Sequence, residues 1–337
     1  MHKLTEASRH PCRAVIGGSG ISVPQKVLSN DDLAQMVETS DEWISSRTGI
    51  RTRHVTTDGE STAQLATEAA RIAIADAGLE PAQIELIIVA TITPEMVFPS
   101  TACFVQEAIG ANDAWGFDLA GACSGFVYAL ATAGQFIETG RIRNALVIGA
   151  ETLTKITNWK DRSSCILFGD GAGAVVLTSS QDPDSGLLYS YMGMDGSGWQ
   201  YLNCKAYGSR FPAYKPLEDP NLIYMSIRGR EVYQLAVRRI VESVKKCMEA
   251  CNLDLGQIDM IIPHQMNARI IESAIKRLEL PADKVFVNID RYGNTSAASI
   301  PIALDECRRT GRVKKGDLVI LVAFGAGLTW GANVLRI

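Results

Sequence analysis

The residue best placed to do chemistry is Cys123, which lies in the segment Gly121-Ala-Cys-Ser-Gly125. The residues that follow, from Phe126 onward, are apolar on nearly all sides and predict a helix buried in the protein interior. Cys123 would then lie at the N-terminus of that helix, where the helix dipole favours a thiolate. The segment therefore predicts a cysteine nucleophile that ionises readily. The alternative is a small core residue, which is how free cysteines often serve.

The same five residues also match the glycine-flanked nucleophile turn of α/β-hydrolases. That alternative requires an acid and then a histidine later in the chain. The α/β-hydrolase alternative also leaves the similarity between the two halves of the chain unexplained. A cysteine-dependent α/β-hydrolase is therefore a second hypothesis from this segment.

Partners for the cysteine come from three later segments. Of the four histidines, His2 and His10 lie near the N-terminus and His54 lies in a charged stretch. His264 instead follows a short apolar run and precedes a predicted helix, and the ends of such strands are where sites form in α/β sheets. In the segment 293–301, Asn294 could donate an amide hydrogen bond to a developing oxyanion, or the segment could be only a turn and helix cap.

The third segment is the glycine-rich turn Phe324-Gly-Ala-Gly-Leu-Thr-Trp-Gly331. Its backbone amides could be directed at an oxygen bound near Cys123. The alternative is a tight hairpin with no catalytic role.

The elements that must position these residues alternate between strands and helices. Short β-branched runs separated by helical periodicity predict an α/β fold with buried sheets. Ile84-Glu-Leu-Ile-Ile resembles Ile258-Asp-Met-Ile-Ile, and the segment from Gly140 resembles the segment from Gly311 in the same order. These pairs predict a duplicated unit, with residues 1–180 carrying the nucleophile and residues 181–337 carrying the histidine and asparagine. Residues 181–222, rich in Gly, Pro, Tyr and Asp, are expected to form a loop over the site.

Composition excludes some classes of function. The 337 residues carry a net charge of −4, so no global basic field attracts nucleic acid or anionic lipid. No apolar run approaches the ~20 residues needed to span a bilayer. The eight cysteines are scattered through a long chain, and the N-terminus lacks the apolar run of a signal peptide. We therefore expect reduced thiols and a cytoplasmic protein.

Taken together and in this order, the four segments resemble β-ketoacyl-acyl carrier protein synthase III of the thiolase superfamily. Further matches are Thr39-Ser-Asp-Glu-Trp-Ile, Arg47-Thr-Gly-Ile-Arg, Phe98-Pro-Ser, Phe168-Gly-Asp-Gly-Ala-Gly173 and His264-Gln-Met-Asn-Ala-Arg269. The resemblance covers nearly the whole chain. It implies a duplicated thiolase-like fold of five αβαβα layers, a homodimer and a Cys-His-Asn triad formed by Cys123, His264 and Asn294.

The resemblance also implies an activity. An acyl-CoA primer, expected to be acetyl-CoA, would condense with malonyl-acyl carrier protein, lose CO₂ and give 3-ketoacyl-acyl carrier protein, which initiates fatty acid synthesis. No metal or redox cofactor is expected. Chalcone-type synthases also use Cys-His-Asn, so a ketosynthase of that type or of secondary metabolism is a further alternative.

The remaining site residues follow from the resemblance. The amides of Cys123 and Ala326 would form the oxyanion hole. Trp43 and Arg162 would flank the adenine of CoA, with Arg47 near its phosphates, and Phe98 would close the acyl pocket of the partner subunit. Carrier-protein contacts are expected on the segment that follows His264 and on the basic face of the next helix, at Gln265, Met266, Asn267, Ala268, Arg269, Lys276 and Arg277.

Overall fold

The structure is a computed structural model that describes residues 12–337, so His2 and His10 lie outside the described residues. Within that range the strands are β1 Arg13–Ser22, β2 Val27–Ser29, β3 Thr52–His54, β4 Leu86–Ala90, β5 Trp115–Leu119, β6 Asn144–Thr152, β7 Asp170–Ser180, β8 Gly186–Met194, β9 Leu202–Asn203, β10 Ser226–Ile227, β11 Met260–Pro263, β12 Leu318–Gly325 and β13 Thr329–Arg336. The helices are α1 Asn30–Ala34, α2 Asp41–Thr48, α3 Thr62–Asp76, α4 Thr101–Ile109, α5 Gly125–Glu138, α6 Gly229–Cys251, α7 Ala268–Leu278, α8 Ile289–Tyr292 and α9 Ser299–Arg309.

Two sheets form the framework. The first has the strand order β1-β7-β6-β4-β5, with β4 parallel to both β5 and β6. The second has the order β11-β12-β13-β8, with β11 parallel to β12. The central strands β4 and β12 are buried along their whole length, which explains why they are continuous apolar runs rather than alternating ones.

Helices cover both faces of both sheets. Apolar residues of α3 and α4 pack on the outer face of the first sheet, and α6 and α7 pack on the outer face of the second. Between the sheets lie α5 and α9, whose buried side chains contact β4 on one side and β12 on the other. The order of layers is therefore helix, sheet, helix, sheet, helix, and the αβαβα fold is confirmed.

The prediction that residues 181–222 form one loop is wrong in its first part. Residues 186–194 are strand β8, which pairs antiparallel with β13 at the edge of the second sheet. Tyr189 and Tyr191 pack against the apolar cluster under α6, a use of tyrosine that is common in strands. Residues 195–222 contain only short 3-10 turns and the two-residue strand β9.

The layer between the sheets positions the site. The segment that carries Cys123 runs from the end of β5 into α5, and the segment that carries Asn294 runs into α9. His264 follows β11 directly, and Gly325 ends β12. The carboxyl ends of parallel strands from both sheets thus meet at one place. In residues 12–337 no helix is both long and apolar enough to cross a membrane.

Candidate active site

One buried cavity brings the predicted catalytic residues together. It has a volume of about 140 Å³ and is lined by Cys123, His264, Asn294 and Ala326. Apolar side chains supply most of the remaining wall, including Leu202, Met225, Val232, Met266 and Phe324. We call this the Cys123 cavity. Its polar residues come from both halves of the chain, although about 140 residues separate Cys123 from His264 in sequence.

A tight turn presents Cys123 to the cavity. The 3-10 turn Ala122–Ser124 leads directly into α5, and Ala122 has a left-handed φ of 47°. The end of β12 lies against this turn at Gly325. A Cβ placed on Gly325 would lie 2.8 Å from the Cys123 nitrogen, so only glycine allows this approach. The close contact brings the backbone at Ala326 beside the nucleophile.

The expectation that Cys123 ionises readily is wrong for the free site. Burial raises the pKa of the Cys123 thiol to about 12, and the buried Glu151 carboxyl acts in the same direction. The nearby Ser296 hydroxyl lowers this pKa, but by less. The N-terminus of α5 follows Cys123 as predicted, and burial of the sulfur is the largest influence on its pKa. The thiol is therefore protonated until a substrate changes its surroundings.

His264 is held at the end of β11 by its backbone and its ring. Its backbone nitrogen donates to the Val322 oxygen at 2.8 Å, and its Nδ1 lies 2.6 Å from the Ser299 Oγ. The ring is fully buried, and burial lowers the pKa of His264 to about 3. Its Nε2 has no hydrogen-bond partner among the described residues. His264 is therefore a neutral imidazole with one nitrogen free to meet a ligand.

Asn294 is fixed by the segment that precedes β7. Its backbone nitrogen donates to the Leu167 oxygen at 2.8 Å, and its oxygen accepts from Gly169 at 3.1 Å. The side-chain Oδ1 accepts a hydrogen bond from the Ser296 backbone nitrogen at 2.9 Å. Because that bond uses the oxygen, the Nδ2 amide group faces the cavity. Asn294 therefore presents a hydrogen-bond donor there.

Two backbone amides complete the site. Within residues 12–337, neither the Cys123 amide nor the Ala326 amide donates to a backbone or side-chain oxygen. Both residues line the cavity. Cys123 is buried and Ala326 is half-buried, and a buried amide without a partner is rare in folded proteins. These two are available to a carbonyl oxygen bound beside the Cys123 sulfur, which agrees with the predicted oxyanion hole.

Comparisons with known proteins agree with this geometry. The family model described as 3-oxoacyl-[acyl-carrier-protein] synthase III matches residues 117–196, and the model of its C-terminal part matches residues 248–337. A curated β-ketoacyl-[acyl-carrier-protein] synthase III from Caldanaerobacter subterraneus subsp. tengcongensis is 53% identical over 323 residues. That match covers 96% of this chain and 97% of the relative. The chain belongs to the synthase III family.

Solved structures of synthase III proteins have the same fold. The enzyme from Aquifex aeolicus VF5 superposes with a TM-score of 0.90 at 46% identity, covering 96% of this chain and all of that one. The priming β-ketosynthase of the R1128 polyketide biosynthetic pathway superposes with a TM-score of 0.90 at 34% identity, covering 98% of both chains. The α/β-hydrolase alternative is not favoured, because synthase III relatives cover both halves of the chain.

The three residues predicted to bind CoA form one cluster in the synthase III chain, which Asn267 links to the Cys123 cavity. The Arg47 and Arg162 guanidinium groups lie 4.7 Å and 4.9 Å from the centre of the Trp43 ring. Asn267, which lines the cavity, donates to the Arg47 oxygen at 3.1 Å and so ties α2 to the start of α7. Both guanidinium groups lie against the ring, so an adenine that stacks on Trp43 would compete with them for contact with it.

Two of the residues predicted to contact the carrier protein have buried side chains. Gln265 is 1% exposed, and its side chain bonds to the backbone of Pro263, Phe286 and Asn288. Met266 is also buried and lines the cavity. Neither side chain is therefore part of the outer surface on which a protein would dock. In the same segment Asn267 and Ala268 are half-buried, whereas the basic residues Arg269, Lys276 and Arg277 are exposed.

Phe98 is not a core residue. It is 82% exposed, and its neighbour Val97 is 89% exposed. Both lie on the loop after β4, whose base is held by the Glu151 carboxyl through hydrogen bonds from the Ile92 and Thr93 nitrogens at 3.1 to 3.3 Å. This synthase III loop therefore projects two apolar side chains from a fixed base.

Sequence reasoning did not identify Ser296, Ser299 or Glu151 as parts of the site. The two serines belong to the segment 293–301 that was singled out for Asn294, so a serine-rich turn was the available signal. Glu151 ends an apolar strand, where a carboxyl is unexpected. In the described residues of this synthase III chain, no cluster of three His, Cys, Asp or Glu side chains could hold a metal ion.

Proposed function

We propose that the protein joins an acyl-CoA primer to malonyl-acyl carrier protein in a decarboxylative Claisen condensation that initiates fatty acid synthesis. The observation that carries this proposal is the convergence of Cys123, His264 and Asn294 with two unpaired amides on one buried cavity. A nucleophile beside an oxyanion hole suits acyl transfer. His264 and Asn294, two neutral hydrogen-bond donors beside the nucleophile, suit the stabilisation of an enolate oxygen.

In the first step, the Cys123 sulfur attacks the thioester carbonyl of the acyl-CoA. The amides of Cys123 and Ala326 bind the oxygen that becomes negative. The tetrahedral intermediate then expels the CoA sulfur, and the thiol proton ends on it to give CoASH. Because burial raises the pKa of Cys123 to about 12, the proton leaves the sulfur only as the substrate thioester reacts.

In the second step, a malonyl thioester enters the emptied cavity and loses CO₂. The electrons of the broken bond give an enolate, whose oxygen accepts hydrogen bonds from His264 and Asn294. Each such donor is typically worth roughly 3 to 4 kcal/mol in the transition state. The enolate carbon attacks the acyl-Cys123 carbonyl. Collapse of that intermediate expels the Cys123 thiolate, which takes up a proton and leaves the 3-ketoacyl thioester.

We propose acetyl-CoA as the primer. The Cys123 cavity, at about 140 Å³, is small beside the roughly 300 to 1,000 Å³ of pockets that hold drug-sized ligands. The pantetheine arm would enter past Asn267, and the nucleotide of CoA would lie on Trp43, Arg47 and Arg162 at the mouth.

We also propose a homodimer. Strand β5 lies at the edge of the first sheet and pairs only with β4 among the described strands. Trp115 on this edge is 45% exposed, and the nearby loop exposes Met96, Val97 and Phe98. An unpaired edge beside apolar side chains favours association. Phe98 of one subunit would then close the acyl pocket of the other.

The carrier protein would dock on the exposed basic residues Arg269, Lys276 and Arg277. Carrier proteins are acidic and this chain has a net charge of −4, so docking requires a local basic surface. Arg269 also lies beside the cavity mouth, because its Nε donates to the Ser46 oxygen of α2 at 2.9 Å.

One experiment tests the proposal against its alternatives. The protein is incubated with a set of acyl-CoAs and malonyl-carrier protein, and the products are weighed by mass spectrometry. We expect CO₂ release and a 3-oxobutyryl-carrier protein from acetyl-CoA. Free acid without malonyl consumption would instead identify a hydrolase, and no product from any acyl-CoA would overturn the proposal.

A further inference from the structure

We propose that Ser299 is a positioning residue that holds His264 in the tautomer with its proton on Nε2. Ser299 is the first residue of α9, is 2% exposed, and lies 35 residues from His264 in sequence. Its Oγ lies 2.6 Å from the His264 Nδ1 and 3.3 Å from the Gln265 backbone nitrogen. The inference rests on the proposed function, because it assigns the proton that would face the enolate.

The protons of this cluster can be placed one by one. The Gln265 N–H can only donate, so the Ser299 Oγ accepts that bond. If the His264 Nδ1 also carried a proton, the Ser299 oxygen would accept from it too. The Ser299 hydroxyl proton would then have no acceptor within residues 12–337. A buried hydroxyl without an acceptor is unfavourable.

The other arrangement gives the Ser299 hydroxyl, the His264 Nδ1 and the Gln265 N–H a partner each. The Ser299 hydroxyl donates to the unprotonated Nδ1, and the ring proton is on Nε2. The Nε2 is buried without a partner among the described residues and belongs to a residue that lines the Cys123 cavity. Because the ring is neutral, each nitrogen has one role. Nε2–H can donate to a ligand oxygen, but it cannot accept the Cys123 proton.

This assignment separates the two half-reactions. Loading of Cys123 needs no base on His264, whereas decarboxylation needs the Nε2–H donor. Removing the Ser299 hydroxyl removes the donor that keeps the proton off Nδ1, so the Nδ1–H tautomer becomes populated. In that tautomer Nε2 is an acceptor facing the enolate oxygen. A wrong histidine tautomer in an intact site is known to be costly for catalysis.

The first test compares Ser299→Ala, Ser299→Thr and Ser243→Ala. Ser243 is a buried serine of α6 that does not line the cavity, so it is a matched control. Loss of one oxyanion donor costs about 10²- to 10³-fold, and only part of the variant adopts the wrong tautomer. We therefore expect Ser299→Ala to slow CO₂ release from malonyl thioester by about 10- to 100-fold, with acetyl loading of Cys123 nearly unchanged. Ser299→Thr retains a hydroxyl and should recover much of the rate, and Ser243→Ala should match wild type in both steps.

The second test observes the tautomer directly, in the wild-type protein and in Ser299→Ala. Protein labelled with ¹⁵N at histidine gives long-range ¹H–¹⁵N correlations that identify the protonated ring nitrogen, and a His264→Gln sample identifies the signals of His264. We expect Nε2–H in the wild-type protein and a shift toward Nδ1–H in Ser299→Ala. A wild-type Nδ1–H tautomer would overturn the inference, as would a Ser299→Ala protein that decarboxylates at the wild-type rate. If wild type shows Nε2–H but consumes no malonyl thioester, the proposed function fails while the tautomer assignment stands.

Discussion

Substitution of Gly325 by alanine tests how the nucleophile and the oxyanion hole are held together. A Cβ at this position would lie 2.8 Å from the Cys123 nitrogen, 3.0 Å from the Ser124 nitrogen and 3.2 Å from the Cys123 Cα. All three are backbone atoms, which cannot rotate away as the end of a side chain would. Restoring ordinary contact requires the two segments to separate by about half an ångström.

That separation has a calculable effect on activity. It moves the Cys123 amide away from the Ala326 amide, so an oxyanion can no longer meet both donors at ideal distance. A misplacement of 1 Å costs up to about 10²-fold in rate, so we expect Gly325→Ala to slow acetyl loading by roughly 10-fold. Crowding in a packed interior also costs about 1 to 3 kcal/mol of folding free energy.

The assay follows acetyl-Cys123 formation by rapid quench and mass spectrometry, with urea unfolding measured on the same samples. Gly256→Ala is the control, because a Cβ on Gly256 would meet no atom within 4 Å. If Gly325→Ala is folded and loads acetyl at the wild-type rate, the close approach of β12 does not position the oxyanion hole and the reasoning is refuted.

Three further predictions concern other parts of the site. His264→Ala and Asn294→Ala should still load acetyl but fail to release CO₂ from malonyl thioester; equal loss of both steps would contradict their roles as enolate donors. Arg269→Glu should raise KM for malonyl-carrier protein at low salt, since exposed charges are screened over ~10 Å at 0.1 M, while the matched reversal Lys245→Glu should not; an unchanged KM would place docking elsewhere. Burial raises the pKa of Glu151 from 4.5 to about 7, so the folded protein binds more protons there than the unfolded chain, and stability falls as pH rises through that interval. Between pH 5 and pH 8, the unfolding free energy measured by urea denaturation should fall by roughly 2 to 3 kcal/mol less in Glu151→Gln than in wild type. A variant with the same pH dependence as wild type would show that the Glu151 carboxyl does not titrate in this way.

The convergence of Cys123 and His264 on one cavity could be predicted because the rules that place them are local. His264 follows a short apolar run and precedes a helix, and parallel strands bring such positions to one edge. Cys123 lies between glycines before an apolar helix, which the structure contains as α5. The repeated segments contain strands of both sheets: β4 and β6 lie in the first, and β11 and β12 lie in the second.

The properties that sequence could not give depend on contacts between distant segments. The pKa of Cys123 is set by a cavity whose wall includes Met225 and Val232, about 100 residues away. The burial of Gln265 depends on the backbone at Phe286 and Asn288, which its amide group bonds. The spacing of residues along the sequence contains no information on the pKa of Cys123 or on the burial of Gln265. Strand β8 was missed because its tyrosines and flanking glycines also suit a loop.

The identity of the nucleophile is the central claim, and acylation measures it directly. Wild-type protein is incubated with acetyl-CoA, weighed intact and then digested to map the modified residue, beside Cys123→Ala treated in the same way. We predict one acetyl group per chain on Cys123, and none on the variant. An acetyl group that persists in Cys123→Ala, or that maps to Cys165 in wild type, would contradict the assignment.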